Sequence, residues 1–424
     1  METVFTYASP ALKFGPGASA EIGYDLALAG VRRVLLVTDP GVAAAGPATT
    51  VAQQLRAGGP DGAWPGIEVV VFDRARVEPT DESMNEAIAF GRDQMPFQAI
   101  VAVGGGSAID TAKAVNLLVT NDGDLMDYLN APVGRAQAPT KALLPLVAVP
   151  TTTGTGSEST TICVLDVLAL RVKTGISHGA LRPTRAVVDP LLTLTQPALV
   201  TASCGLDILC HAVESYTARW YADMAAKPPQ QRVPYCGSNP ISDVWSEKAM
   251  ALLAASFRQA VRHGDDAVAR EQMALAATFA GLGFGNAGVH IPHACAYPIA
   301  GQVRDYRPEG YPQDEPLVPH GMAVSLTAPA AFAATYDAAP ERHETAARLL
   351  GGTGVGRDAL PGAIAEIMRD VAMPSGLAEV GFTQADLPDL VAGALKQQRL
   401  LATAPVDVTE QTLHDVFAAS YENW

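Results

Sequence analysis

The chain has 424 residues, more than one hydrophobic core normally serves, so two domains are expected. Apolar residues make up 48% of it and charged residues 17%, a balance that excludes a disordered chain. The net charge of −15, with no run of Lys and Arg, excludes a nucleic-acid binder that grips phosphates and leaves solubility as the meaning of the acidic surface.

The N-terminal stretch METVFTYASPALKFGPG has no basic patch followed by an apolar core, and it is not Arg-rich. It reads as neither a secretory signal nor a transit peptide. The cysteines, Cys163, Cys204, Cys210, Cys236 and Cys295, are odd in number and form no CxxC pair. That speaks against a disulfide framework or a thiolate zinc knuckle and for free thiols in a reducing compartment. A cytoplasmic protein is expected. The longest uncharged stretch, Leu317 to Tyr336, contains Pro319, His320, Gly321 and Pro329. It is read as a packed helix with its lead-in loop, and no membrane partner is expected.

From the N-terminus, short β-branched runs alternate with helix-like segments. Arg33 to Thr38 (RVLLVT) is a buried strand ending at Asp39, and Ile67 to Phe72 (IEVVVF) is another. Glu82 to Arg92 reads as a helix. Ala99 to Val103 runs into three glycines, Leu146 to Val149 into a Thr/Gly-rich loop, and Ala186 to Val188 into Asp189-Pro190. Apolar strands separated by helices predict a mostly parallel, Rossmann-like α/β domain over residues 1–190. After Pro190 the apolar residues recur at helical spacing, in Leu199 to Arg219, Ser246 to His263 and Glu271 to Leu282. An all-helical domain is therefore expected over residues 191–424. Within it Lys227 to Pro240 reads as an ordered Pro-rich loop and Gln302 to Pro319 as a second long one.

Two segments in the first domain point to a nucleotide. In VAVGGGSAIDTAKA, Val101 to Ala114, Gly104, Gly105 and Gly106 let backbone amides approach a ligand. The helix beginning near Ser107 aims its free N–H groups at the same spot, an arrangement suited to a pyrophosphate. In VPTTTGTGSE, Val149 to Glu158, the hydroxyls of Thr151, Thr152, Thr155 and Ser157 could serve a ribose or phosphate; a sharp capped turn is the alternative. Both loops follow strand ends, where ligands of open α/β sheets bind. Asp39 would accept hydrogen bonds from an adenosine ribose and repel a 2'-phosphate, so NAD is expected over NADP; a turn aspartate is the competing reading.

The helical domain carries metal-ligand chemistry. Asp207 and His211, in SCGLDILCHAVESY, are four apart and share one helix face. A carboxylate and an imidazole so placed make half a site for a divalent ion, although DxxxH taken singly is commonly a solvated or capped pair. The other half would come from histidines in AGVHIPHACAYPIAG (His290, His293) and LVPHGMA (His320).

Taken in order, GGGSAIDTAKA, PTTTGTGSE, GLDILCHAVESY, HACAYPIAG and VPHGMA resemble the iron-containing alcohol dehydrogenase family across essentially the whole chain. The resemblance implies a dehydroquinate synthase-like, iron-dependent alcohol dehydrogenase fold. It carries the metal ligands onto Asp207, His211, His293 and His320, and the glycine-rich cofactor loop onto Gly104 to Ser107, with Asp110 following. It carries the Thr-rich cofactor loop onto Thr151 to Glu158, and a lysine near the cofactor onto Lys173. Fe(II) is the implied metal, with Zn(II) the alternative, and a homodimer or larger homo-oligomer the implied assembly. Two positions depart from the family pattern: its H-G-M reads His293-Ala294-Cys295, and its second histidine is Tyr297. These departures, with GFGNAGVH and YCGSNPISD, look like the hydroxyacid-oxoacid transhydrogenase subgroup. Such enzymes pass a hydride between a hydroxyacid such as 4-hydroxybutyrate and an oxoacid such as 2-oxoglutarate. His290 is a subgroup feature and is not taken as a ligand. Arg304 and Arg307 are the candidates for a substrate carboxylate, since a guanidinium grips one bidentately. The rival expectations are an NAD-linked alcohol, lactaldehyde or diol dehydrogenase that releases NADH, a dehydroquinate-synthase-like lyase, and a binding protein whose metal only braces helices.

Overall fold

The computed structural model describes residues 1–170, 172–229, 232 and 234–424. It has two compact units, Ser9–Thr152 with Ser157–Thr195, and Met1–Ala8 with Thr153–Gly156 and Gln196–Trp424.

The first unit holds strands β1 (Ala11–Phe14), β2 (Arg33–Val37), β3 (Glu68–Phe72), β4 (Ala99–Gly104), β5 (Leu146–Pro150), β6 (Ile162–Val167), β7 (Val172–Ser177) and β8 (Arg185–Val188). Helices α1 (Ile22–Leu28), α2 (Pro40–Ala45), α3 (Pro47–Ala57), α4 (Asp81–Asp93), α5 (Gly106–Thr120) and α6 (Leu125–Tyr128) connect them. Six strands form one parallel sheet in the order β1-β8-β5-β4-β2-β3. Along β2 the side chains alternate between two cores: Leu35 and Val37 pack with Met84, Ile109 and Val115, while Val34 and Leu36 pack with Ile22, Val51 and Leu55. Burial on both faces is why the strand reads as an unbroken apolar run.

All five expected strands are present. Three others were not foreseen. β1 (ALKF) is short, lies at the sheet edge and is half exposed, so it has no apolar run to betray it. β6 and β7 pair antiparallel as a separate ribbon whose ladder runs from Ile162↔Ser177 to Val167↔Val172.

The second unit is helical: α7 (Ala198–Thr217), α8 (Pro240–Arg262), α9 (Ala267–Ala287), α10 (Ile291–Gly301), α11 (His320–Thr335), α12 (Pro340–Leu349), α13 (Ala359–Asp370), α14 (Leu387–Leu395), α15 (Gln398–Leu401) and α16 (Glu410–Ala419). Of its expected segments, Leu199 to Arg219 ends two residues early, at Thr217; Ser246 to His263 falls in α8, which starts earlier and ends one residue short, at Arg262; and Glu271 to Leu282 lies within the longer α9. Gln302 to Pro319 connects α10 to α11 without regular helix or strand. Of the Lys227 to Pro240 loop, Gln230, Gln231 and Val233 lie outside the described residues. α7 is apolar and long enough to cross a membrane, but 78% of that stretch is buried within the protein, as befits a core helix.

One polar cluster fixes α5 to the β6–β7 ribbon. Lys113, with no exposed surface, donates from Nζ to Asp110 (3.2 Å), to the Thr160 hydroxyl (3.1 Å) and to the Ile162 carbonyl (2.6 Å). Asp110 also accepts from the Val164 amide (2.9 Å) and from the Ser157 hydroxyl. Burial pushes the Asp110 carboxyl up and the adjacent ammonium opposes it. Removing one partner of such a pair leaves the other charge buried and unmatched. Lys113→Met is therefore expected to cost about 3–5 kcal/mol of stability. Urea denaturation checks this, and a loss below about 1 kcal/mol, the scale of an exposed pair, would contradict the bracing role.

Candidate metal centre and nucleotide loops

α7 is the spine of the metal centre. Its helical repeat puts Asp207, His211 and Glu214 on one buried face. His293 comes from the first turn of α10 and His320 is the first residue of α11. The α11 helix reaches α7 because residue 321 is glycine: a Cβ there would lie 2.1 Å from the Ser203 carbonyl oxygen and 2.8 Å from Asp207 Cβ. The Met322 amide then donates to the Ser203 hydroxyl at 3.1 Å and fixes the approach.

Three imidazole Nε2 atoms face one carboxylate oxygen. Asp207 Oδ1 lies 3.5 Å from His293, 3.6 Å from His211 and 4.0 Å from His320. Ligand atoms of Asp207, His293 and His320 all lie within 4.8 Å of one another; His211 adjoins this trio through the same oxygen. The His211 ring is sandwiched, stacked on Phe284 at 3.8 Å between centroids and on His293 at 4.5 Å.

Charge in this cluster is strongly coupled. Burial alone would raise the Asp207 carboxyl, but the imidazoles of His211, His320 and His293 outweigh it and hold it well below the usual carboxylate range. Burial drives His211 down to about 3 despite the carboxylate beside it. Burial also works against protonation of His293, but Glu214 and Asp207 prevail and push it up to about 9.

Both Asp207 Oδ1 and His293 Nε2 are buried and lack a hydrogen-bond partner among the described residues. Their 3.5 Å separation is long for a hydrogen bond. It is close to the roughly 3.3 Å between two tetrahedral ligands whose bonds to one ion are about 2.0–2.1 Å. One carboxylate and three imidazoles that converge on one point, two of their atoms buried without a partner among the described residues, fit a divalent first-row metal. The residues present thus fit the group that the sequence led us to expect.

Glu214 was not foreseen. Fully buried, it takes His293 Nδ1 on Oε2, and its Oε1 accepts from the backbone amides of His290 (2.7 Å) and His293 (3.3 Å). A spacing of seven from Asp207 and three from His211 was the only signal in the sequence. His290 turns its Nε2 to the Thr217 hydroxyl at 3.2 Å, away from the trio. The ring of Tyr297 stands edge-on to His320, 6.4 Å between centroids.

At the carboxyl edge of the sheet, β2, β4 and β5 are neighbours and bring Asp39, Gly104 to Gly106 and Thr151 together. Gly104 has φ +158°, and a Cβ on it would meet Ala108 at 2.6 Å and Asp39 Oδ2 at 3.2 Å. The α5 helix starts at Gly106, one residue before the expected start, and has no side-chain cap, so its first amides are free of one. The Thr151 amide donates to the Gly104 carbonyl (3.0 Å), Thr152 Oγ1 lies beside Gly105, and the buried Thr151 hydroxyl has no partner among the described residues.

Several other residues read as cofactor ligands have structural partners. The Asp39 carboxylate caps α2, accepting from the Val42 amide at 2.9 Å. Asp110 and Ser157 belong to the Lys113 cluster. Ser107 Oγ accepts from the Glu78 amide at 3.2 Å. Lys173, 2% exposed in its side chain, is clamped by Glu78 and Asp166 at 2.7 Å each. Thr155 falls in the short segment that belongs to the helical unit. There a Cβ on Gly154 would collide with Cys204 at 2.7 Å and one on Gly156 with Gly281 Cα at 2.9 Å, so these two glycines serve close packing on α7 and α9. Arg304 is bidentate to Asp386 (2.7 and 2.8 Å) on the surface, whereas exposed Arg307 donates to the Asp305 carbonyl at 3.2 Å.

A parallel α/β unit with glycine loops at its carboxyl edge, and a helical unit with an Asp-His centre, define a metal- and nucleotide-using oxidoreductase. The sequence matches the iron-containing alcohol dehydrogenase model over residues 9–190, and that family's C-terminal model over residues 234–421. The chain belongs to the iron-containing alcohol dehydrogenase family, and it is an enzyme of that oxidoreductase class with small-molecule substrates and the family's cofactors, Fe(II) and NAD(H). It is 45% identical to the mitochondrial hydroxyacid-oxoacid transhydrogenase of Bos taurus over 98% of this chain and 90% of that one. Among solved structures, a 1,3-propanediol oxidoreductase superposes with a TM-score of 0.84 at 32% identity, over 99% of this chain and all of the other. A sulfoacetaldehyde reductase from Bifidobacterium kashiwanohense, solved in complex with NAD+, gives 0.78 at 28%, covering 98% of each. The cytoplasmic expectation is overturned, because the transhydrogenase relatives are named as mitochondrial proteins. Free cysteines, present here as expected, fit any reducing compartment and could not have made that distinction.

The metal centre predicts a linkage effect. Fe(II) or Zn(II) at about 100 times its Kd should stabilise the wild-type protein by about 2.7 kcal/mol. Asp207→Asn, which keeps the shape and removes the charge, should lose most of that gain. Thermal unfolding with and without metal measures both, and equal metal stabilisation of the variant would refute the assignment.

Proposed function

We propose that this enzyme is a hydroxyacid-oxoacid transhydrogenase. The observation that carries the reading is 45% identity, sustained over 98% of the chain, to proteins bearing that name. When bound, the metal supplies Lewis acidity at the substrate's alcohol oxygen and the nicotinamide carries the hydride between the two acids. Asp207, His211, His293 and His320 would hold the metal, and three neutral imidazoles with one carboxylate leave the centre a net positive charge. The aromatic face of Phe284 against His211 keeps water from that side. Asp39, Gly104, Gly105, Gly106, Thr151 and Thr152 would hold the dinucleotide, with the α5 amides set for its phosphates.

In the balanced reaction the hydroxyacid loses a hydride and a proton to become an oxoacid, and the oxoacid gains both. Free nicotinamide is neither consumed nor released. Oxidation of 4-hydroxybutyrate by metal-loaded enzyme should therefore require 2-oxoglutarate, with no accumulation of NADH. Steady NADH release from a simple alcohol without any oxoacid would instead establish a plain dehydrogenase.

For the substrate carboxylate we put forward Arg307, because the Arg304 guanidinium is already filled by Asp386. Arg307→Ala should raise KM for hydroxyacids about tenfold or more, the scale of one lost charged hydrogen bond, and leave neutral alcohols unaffected. Equal effects on both substrate classes would remove Arg307 from the site.

A further inference from the structure

We propose that Glu214 is a positioning residue that fixes the His293 tautomer, so that Nε2 carries a lone pair towards the metal centre. This rests on the metal reading above. The two oxygens of Glu214 divide the work. Oε1 accepts from the His290 and His293 amides at 2.7 and 3.3 Å and so caps the start of α10. Oε2 takes His293 Nδ1. A carboxylate can only accept, so the hydrogen of this contact stays on Nδ1; of the two ring protons, the one on Nε2, 3.5 Å from Asp207 Oδ1, is the one a metal would displace, which makes Nε2 the ligand. That nitrogen is buried and unpartnered among the described residues, as a ligand atom should be. With no surface of its own exposed, Glu214 also has no solvent to exchange this role with. A carboxylate behind a metal-bound imidazole orients the ring and raises its basicity.

Glu214→Gln separates the two duties. The glutamine carbonyl can keep the α10 cap while its NH2 faces Nδ1, which must then accept. The ring proton moves to Nε2 and the lone pair turns away from the metal. The affinity of the full-length protein for Zn(II) and Fe(II), measured by chelator competition, should fall roughly 10- to 100-fold. The metal-free variant should keep the helical circular-dichroism signature of the wild type, although its thermal midpoint falls because the buried partner of His293 has lost its charge. Ring-nitrogen NMR of the folded variant should show the proton of the neutral His293 ring moved from Nδ1 to Nε2, a change that a merely structural role would not produce. Wild-type affinity in Glu214→Gln would overturn the proposal. If the variant fails to fold, ring-nitrogen NMR of zinc-loaded wild type decides: a retained Nδ1 proton with Nε2 on the metal supports it, and the reverse attachment overturns it. Should the wild-type protein bind neither ion, the metal reading itself fails; the same variant's affinity cannot produce that result, so the two failures are distinct.

Discussion

The helical unit is organised around a buried carboxylate oxygen that lacks a partner. Asp207 is 1% exposed, and Oδ1 has no hydrogen bond among the described residues, yet three imidazole nitrogens converge on it within 4.0 Å. An isolated buried charge is among the costliest arrangements a protein can hold. It needs positive charge beside it, which a proton on His293 supplies when no metal is bound. A divalent ion would supply it to the carboxylate and to all three imidazoles at once. Much of the neighbouring sequence follows from that demand: an apolar α7 to exclude water, a glycine at 321 so that α11 can close on α7, and Phe284 to hold the His211 ring flat.

What could be read from the sequence follows the same physics. The strands were legible because two-sided burial leaves no polar alternation, and the Asp207–His211 pair because its spacing matches a helical turn. Glu214 was not, because a carboxylate at the end of an apolar helix face is ordinarily solvated, and only the fold shows that α10 lies against it. The strand β1 escaped because a half-exposed edge strand lacks a continuous apolar run; β6 (ICVLDV) carries one and was missed all the same, while its partner β7 (VKTGIS) is broken by Lys173, Thr174 and Gly175.

The nucleotide loops teach a different lesson. Their position at the strand ends was legible, but the duties of individual residues were not. Asp39 caps α2, Asp110 and Ser157 serve Lys113, and Lys173 sits between two carboxylates. Each is a polar residue at or near a turn, where backbone amides and ligands compete for the same kinds of atom. Sequence shows that such a residue has a polar duty; only the fold names its partner. Asp39 can serve both, since capping engages Oδ1 and leaves Oδ2 on the side of Gly104.

Tyr297 bears on the choice between the two family activities. A dehydrogenase that releases NADH must also release one proton per turnover, so it gains from a group that titrates near neutrality beside the reacting oxygen. Histidine is such a group and tyrosine, with an ordinary pKa near 10, is not. The transhydrogenase stoichiometry has no net proton: what the hydroxyacid gives up in the first half, the oxoacid takes back in the second. A site working that way needs to hold a proton within reach, not to pass it to bulk water. Tyr297, edge-on to His320, stands where the family pattern has its second histidine, so a side chain of the type that titrates near neutrality is replaced in a reaction that has no net proton to release.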